Sequence, residues 1–550
     1  MKVGLLQCNF ISNDVARNIE ILYSAIERAA GAGAGLCVSS ELALCGCPAN
    51  RQFIRKSFIE MCRIKLQAFA ALLSEKKLPP LLLGAPVINL EPQGKPLHNS
   101  AVFLRDGKVM VIARKVLPNR EDNYYFEPGA ALGVLQYNGW RFAVAVGEDI
   151  WNDRGFWHGH RQFRFDPVEE FMAGGADTLL NLTGLPFSIG IHDAHKKVLA
   201  WFSSKYRTPV VSVNQAGGMD NHIYHGGSMV FDACGSLRAQ SPLFKEDVLV
   251  VDLNGLSGDS AEGRLVENEA DAMEEIWQAL ALGLHDFVVK CGFTSVVLGL
   301  SGGVDSALVA AIAAEALGKE NVLGMLMPSP DSLPGSLDDA ARFAGNLGID
   351  TMVIPIDKAM ETFADVLRPG FTDLSLGAAG ENIQARIRST ILMACANKFK
   401  RLLLNTGNKS EAALGHCTLY GDSAGAVGVI ADLYKTQVCE LAGWLNQTRG
   451  FELIPPEIPG KPPSAELHNG QEDMAAFPEY KVLDALLSAY LEDGNDEAEL
   501  VERGFEAQTV KQVLRALRLS EFKRRQAPPV LRINTHSFGQ SGHIPIATSF

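Results

Sequence analysis

The chain has 550 residues, 47% of them hydrophobic and 21% charged, with a net charge of −13. This length allows two or more domains, each with its own core, and the acidic balance excludes a general nucleic-acid binder, so small molecules are the expected partners. Ten cysteines run from Cys8 to Cys439 with only Cys45 and Cys47 close together, which excludes a disulfide framework or a paired zinc site and points to a reducing cytoplasm. Residues 1–10 lack a basic region followed by a long apolar core, and no run approaches a membrane span, so neither export nor a membrane is expected.

Short apolar runs predict strands at residues 2–8, 35–39, 81–86, 101–104, 109–113, 141–146, 178–182 and 210–214, with helical periodicity between several of them, as over 15–30. A strand at 248–253 gives way to residues 254–263, polar and rich in Gly and Ser, where a domain boundary is expected. The chain is accordingly divided into residues 1–258, a linker 259–275 and residues 276–550. A helix over 270–291 leads to strands at 295–300, 322–327, 351–356 and 402–406, each separated by a helical segment. That order implies an α/β fold with a parallel, doubly wound sheet, in which ligands sit at the carboxyl ends of the strands.

One such end carries Ser301-Gly302-Gly303-Val304-Asp305-Ser306, between the apolar run 296–300 and the small-residue stretch 307–314. Glycines let backbone N–H groups approach an anion, the helix N-terminus adds partial positive charge, and Asp305 can hold a magnesium ion beside phosphates. The loop lacks the Gly-Lys-Ser/Thr of the Walker pattern. It resembles the pyrophosphate loop of enzymes that cut ATP between its α and β phosphates. Residues 405–411, Asn-Thr-Gly-Asn-Lys-Ser-Glu, follow another buried strand, so Thr406 and Glu411 emerge at the same sheet edge as Asp305. On the helix opened by residues 381–388, Asn382 and Arg386 lie four apart on one face while Ile383, Ile387 and Ile391 bury the adjacent stripe.

Together with residues 327–329, 418–422, 435–436 and 461–467, these segments resemble the NAD synthetases across the second domain. The resemblance implies that Ser301, Gly302, Gly303, Asp305, Ser306, Thr406, Lys435 and Ser464 contact ATP. It further implies that Asp305 and Glu411 bind Mg2+, and that Asn382, Arg386, Asp422 and Lys523 contact deamido-NAD. The family's Gly-Gly-x-x-Pro is altered here to Gly425, Ala426 and Val429. A surface ion pair between Asp422 and Lys435 is the structural alternative. The implied chemistry adenylates a nicotinate carboxylate, expels pyrophosphate and lets ammonia displace AMP; it asks for positioning and charge neutralisation rather than a side-chain nucleophile.

Residues 40–45, 114–119, 147–151, 181–187 and 214–228 resemble the nitrilase-type amidase domain fused to glutamine-dependent NAD synthetases, which implies an α-β-β-α sandwich and a Glu, Lys and Cys triad. Glu41 and Lys115 match the first two. The cysteine position, ahead of Glu-Asp-Ile-Trp, is Gly147. Arg120, Leu185 and Ile191 replace a tyrosine, a serine and a lysine of that family, and Cys45 and Cys47 are set aside as substitutes because they follow Glu41 on its own loop. The expectation is a degenerate glutaminase in which Glu41 and Lys115 form a vestigial, buried ion pair, so that free ammonia is the nitrogen donor. A working glutamine-dependent enzyme with an unrecognised nucleophile and a catalytically silent nucleotide-binding scaffold are the alternatives. His158, His160, His192, His195, His222 and His225 raise a metal-site hypothesis, against which stand histidines exposed or hydrogen-bonded on loops. The family also implies a homo-oligomer, a dimer or higher.

Overall fold

In the first unit apolar side chains alternate along the strands, and the two faces go to different layers. On the strand Lys2–Gln7, Val3 and Leu5 join one core while Leu6 joins another. The computed structural model describes every residue except 131–132, 158–162, 173–174, 258–270, 331, 333–334, 371–377, 456–457, 459–476, 540–542 and 548–550. It comprises two compact units, Met1–Ala270 and Asp271–Phe550. Most of the expected linker, residues 259–270, lies outside the described residues.

The strands of the first unit are β1 (Lys2–Gln7), β2 (Leu36–Ser39), β3 (Leu81–Ile88), β4 (Leu97–Arg105), β5 (Lys108–Arg114), β6 (Gly133–Tyr137), β7 (Trp140–Val146), β8 (Thr178–Leu182), β9 (Val210–Val213), β10 (Ala216–Met219), β11 (His222–His225), β12 (Met229–Phe231), β13 (Leu237–Gln240) and β14 (Asp247–Asp252). Two six-stranded sheets form, in the orders β14-β1-β2-β3-β4-β5 and β13-β12-β9-β8-β7-β6, and β10 pairs with β11 in a separate hairpin. Val3, Leu5, Val38, Leu82 and Phe103 of one sheet pack on Phe142, Val144, Val146, Leu180, Leu182 and Val211 of the other. The outer faces take helices: Leu22, Ile26, Leu66 and Phe69 cover Leu6, Leu81 and Leu83, and Val198, Leu199 and Phe202 cover Ala143, Ala145 and Leu179. This is the α-β-β-α sandwich.

The second unit holds β15 (Val296–Gly299), β16 (Val322–Leu326), β17 (Asp350–Val353), β18 (Leu402–Asn405) and β19 (Val427–Gly428). They form one sheet in the order β17-β16-β15-β18-β19, and all four pairings are parallel. The chain winds outward from β15 to β17, then returns to β18 on the other side of β15. The strand order therefore reverses between β15 and β18, the place where such sheets open a ligand crevice. Helix Val304–Leu317 is buried on nearly all sides, whereas helices near the C-terminus build a separate core from Leu483, Leu487, Val510, Leu514 and Leu517 around Ala413 and Leu414.

Candidate functional sites

At the reversal, β15 runs into residues 301–303 and a helix starts at Val304. A serine network closes the turn: Gly303 N donates to Ser301 Oγ (3.2 Å), Ser301 N to Ser306 Oγ (3.3 Å), and Ser306 Oγ to Gly303 O (3.1 Å). Asp305 leaves the first helical turn toward the segment after β18. There Asn408 donates from Nδ2 to Asp305 Oδ1 (3.0 Å) and from its backbone N to Glu411 Oε2 (3.1 Å). The Lys435 ammonium, from the start of helix Lys435–Arg449, pairs with Asp305 Oδ2. Glu411 is pushed up to about 8 by burial and by Asp305, with Lys435 pulling the other way. Two carboxylates facing the Lys435 ammonium suit a divalent cation that shares substrate phosphates, because magnesium is ordinarily held by one or two carboxylates plus phosphate oxygens. Thr406 is half-buried just after β18, and Ser464 lies outside the described residues.

The remaining candidates of this unit gather around residues 415–424. Thr418 donates from Oγ1 to Asn382 Oδ1 (2.7 Å), Arg386 Nε donates to Leu419 O (3.1 Å), and Thr418 N donates to Asp422 Oδ1 (2.5 Å). Lys523 Nζ donates to Gly415 O (2.6 Å) and Cys417 O (2.8 Å). Burial raises Asp422 above the ordinary carboxylate range. The pairing of Asp422 with Lys435 is not found, since Lys435 is committed to Asp305. Asn408 was missed by the motif reading, although Asn408-x-x-Glu411 is a helix capping box and both reciprocal bonds are present.

In the first unit, Glu41, Lys115 and Gly147 follow the ends of β2, β5 and β7. Glu41 and Lys115 are each 3% exposed, and Arg114 beside Lys115 is exposed. Lys115 Nζ meets three carboxylates: Glu41 Oε1 at 2.7 Å, Asp122 Oδ2 at 2.5 Å, and Glu148 Oε2. Asn99 Nδ2 also donates to Glu41 Oε1 (2.7 Å), and Gly184 N donates to Glu41 Oε2 (3.1 Å). Burial pushes Glu41 up to about 7, Lys115 opposing this and Glu148 and Asp122 adding to it. Burial would lower Lys115, but Asp122, Glu148 and Glu41 outweigh it and hold the ammonium charged. Such a carboxyl is suited to exchange protons near neutrality, beside a cation that can face a developing oxyanion.

Gly147 has φ 53°, and a Cβ there would stand 2.6 Å from Glu41 Oε2 and 2.7 Å from Lys115 Nζ. Position 147 is thus at the centre of the cluster, in backbone that favours glycine. Asp122, Glu148 and Asn99 escaped the sequence reading; Glu148, next to Gly147 in a quoted motif, was the one within reach.

His192, His195, His222 and His225 are buried on helix Ile191–Tyr206 and on β11, not exposed on loops, and His158 and His160 lie outside the described residues. Among the described residues, the one group of three or more potential metal ligands in mutual reach is Glu41, Asp122 and Glu148, with no histidine in it. The Lys115 ammonium already occupies the place a cation would take.

The sequence matches the carbon-nitrogen hydrolase family over residues 2–157 and the NAD synthase family over residues 276–527. A glutamine-dependent NAD(+) synthetase of Synechocystis sp. is 41% identical over 558 residues, covering 100% of this chain and 99% of that protein. One from Thermotoga maritima is 37% identical over 587 residues, covering 100% and 99%. The structure of the glutamine-dependent NAD+ synthetase from Acinetobacter baumannii in complex with ADP is 32% identical, covers 99% of this chain and 98% of that one, and superposes with a TM-score of 0.74.

These likenesses overturn the expectation of a silenced glutaminase supplied by free ammonia. The relatives matched end to end are glutamine-dependent, and the charged groups around position 147 remain assembled. The inference drawn from Gly147, Arg120, Leu185 and Ile191 fails with it. The alternative of a working glutamine-dependent enzyme is the reading the comparisons favour.

Proposed function

The chain belongs to the glutamine-dependent NAD synthetases and is an ATP-dependent NAD-synthesising ligase, from which we propose that it amidates deamido-NAD with nitrogen taken from glutamine. The observation that carries the synthetase half is the convergence of Asp305, Glu411 and Lys435 at the reversal of the parallel sheet, beside the 301–306 loop. The N–H groups of that loop and the start of helix Val304–Leu317 cradle the pyrophosphate, and Lys435 neutralises it as it leaves. Asp305 and Glu411 would hold Mg2+, which when bound would spread charge over the phosphate oxygens. Thr406 contacts ATP, and Asn382, Arg386, Asp422 and Lys523 bind deamido-NAD, whose carboxylate is thereby fixed against the α-phosphorus.

In the first unit Glu41 moves the protons of amide cleavage and Lys115 faces the oxyanion, giving ammonia and glutamate. The ammonia displaces AMP from the adenylated nicotinate. All ten cysteines are free thiols, which supports a cytoplasmic enzyme, and no described helix is long and apolar enough to cross a membrane. The family implies a homo-oligomer, which light scattering checks directly. The functional test is a stoichiometry: with ATP, Mg2+, deamido-NAD and glutamine, one glutamate, one AMP and one pyrophosphate should appear per NAD. NAD formation with ammonium but not with glutamine would refute the glutamine half of this reading.

A further inference from the structure

Helix Tyr480–Leu491 packs Leu483 and Leu487 in the core that holds Ala413, Leu414 and Tyr434, and beside these apolar side chains it buries a carboxylate, Asp484, 4% exposed. Asp484 Oδ1 accepts from Ser410 Oγ (2.6 Å), and Asp484 Oδ2 accepts from the backbone N of Thr436 (2.9 Å). Ser410 Oγ in turn accepts from the backbone N of Lys435 (3.0 Å). The first N–H groups of a helix have no partner within it, and these two, at the start of helix Lys435–Arg449, are met from outside it. The carboxylate also faces the positive end of that helix dipole. Burial raises Asp484 above the ordinary carboxylate range, while Ser410, the Thr436 N–H and the Lys435 charge draw it down.

Ser410 directly precedes Glu411 on the turn after β18, so the two oxygens of Asp484 reach two elements that each carry a charged group of the nucleotide site. The contacts close a ring. It runs from Asp484 through Ser410 to Asn408 on the same turn, from Asn408 Nδ2 to Asp305, from Asp305 to the Lys435 ammonium, and from Lys435 and Thr436 back to Asp484. Glu492, just after the same helix, accepts from Lys409 Nζ (2.6 Å) and holds that turn at a second point. Apolar packing sets how close two elements lie but tolerates small repacking, whereas a hydrogen bond weakens steeply once its length and angle leave a narrow range.

We propose that Asp484 is a positioning residue of the adenylation half-reaction: it fixes the start of the Lys435 helix against the turn that bears Glu411, so that the Lys435 ammonium is in place as pyrophosphate departs. This rests on the role given to Lys435 above. The ammonium opposes charge that grows on the pyrophosphate as its bond to the α-phosphorus breaks, so a displaced Lys435 weakens the transition state more than the bound ground state. Loss of Asp484 is therefore felt in kcat more than in KM for ATP.

The test follows pyrophosphate release by the full-length enzyme supplied with ATP, Mg2+, deamido-NAD and ammonium, so that the glutamine half takes no part. Asp484→Ala should lower kcat about tenfold or more and change KM for ATP by less than about threefold. Asp484→Asn, which keeps one acceptor oxygen, should fall between it and the wild type. In a Lys435→Ala background Asp484→Ala should lower kcat no further, because the two act as one unit. Leu487→Ala, a loss of packing on the same helix, should lower the midpoint of chemical denaturation and leave kcat unchanged. Should Asp484→Ala not fold, Asp484→Asn carries the same cycle. An unchanged kcat in the folded Asp484 variants, or the same fold-loss with and without Lys435, would overturn the proposal. Pyrophosphate release by Lys435→Ala at the wild-type rate would instead overturn the role of Lys435 on which it rests.

Discussion

Lys115 is the cation shared by the buried carboxylates of Glu41 and Asp122 and the half-buried one of Glu148, so removing it leaves like charges facing one another. Lys115→Met should cost about 3–5 kcal/mol in chemical denaturation, the range for breaking a buried ion pair from one side. Glutamine hydrolysis should disappear with it. The carboxyl of Glu41, at about 7, is a base only when deprotonated, so glutamine hydrolysis should rise with pH through about 7. Glu41→Gln should remove both the activity and that limb of the profile. Stability should run the other way. Glu41 near 7 and Glu411 near 8 hold protons that the unfolded chain has already released above about 4.5, so both weaken the fold as pH rises from about 5 to 8. Glu411→Gln should flatten that slope, measured as denaturation midpoints across the window. Binding of Mg2+ and ATP should also release about one proton at pH 7 as Glu411 ionises, a quantity calorimetry reads from buffers of different ionisation enthalpy.

The turns between elements place the chemistry, and they were unequally legible. The 301–306 loop and the 405–411 segment could be read because each interrupts a short apolar strand with glycine and polar residues in a recognisable order. The capping box at Asn408 and Glu411 locks the second of these turns and also reaches Asp305. Asn408→Ala should therefore cost about 1 kcal/mol of stability and raise KM for ATP more than it lowers kcat, a split that steady-state kinetics resolves. Strands β10 and β11, Ala-Gly-Gly-Met and His-Ile-Tyr-His, were not foreseen. Neither alternates apolar with polar, yet all eight residues are buried. The start of β4 escaped for a related reason: His98, Asn99 and Ser100 are polar but inward, and Asn99 is there to bond Glu41. Functional strands break the pattern that makes ordinary strands visible.

Across the whole molecule, the two architectures were legible because the alternation of strands and helices differs little from what each sandwich or sheet requires. The nitrogen source was not. The glycine at position 147 reads along the chain as the loss of an activity, whereas Glu41, Lys115, Asn99 and Glu148 beside it are joined in one hydrogen-bonded and ion-paired cluster. Spacing along the chain could not reveal that Asn99 and Asp122 join Glu41 and Lys115 in that cluster.

The reversal of strand order in the second unit has a further consequence, for the order in which that unit can be made. Asp305 meets Asn408 across 103 residues and Lys435 across 130, and both contacts require β18 to have paired with β15. Local helices can form early, but this pairing must close a long loop first, and such contacts come late in folding. No fragment ending before β18 carries a complete nucleotide site. Nucleotide affinity is therefore a readout of the finished sheet: a chain that binds ATP has already paired β18 with β15.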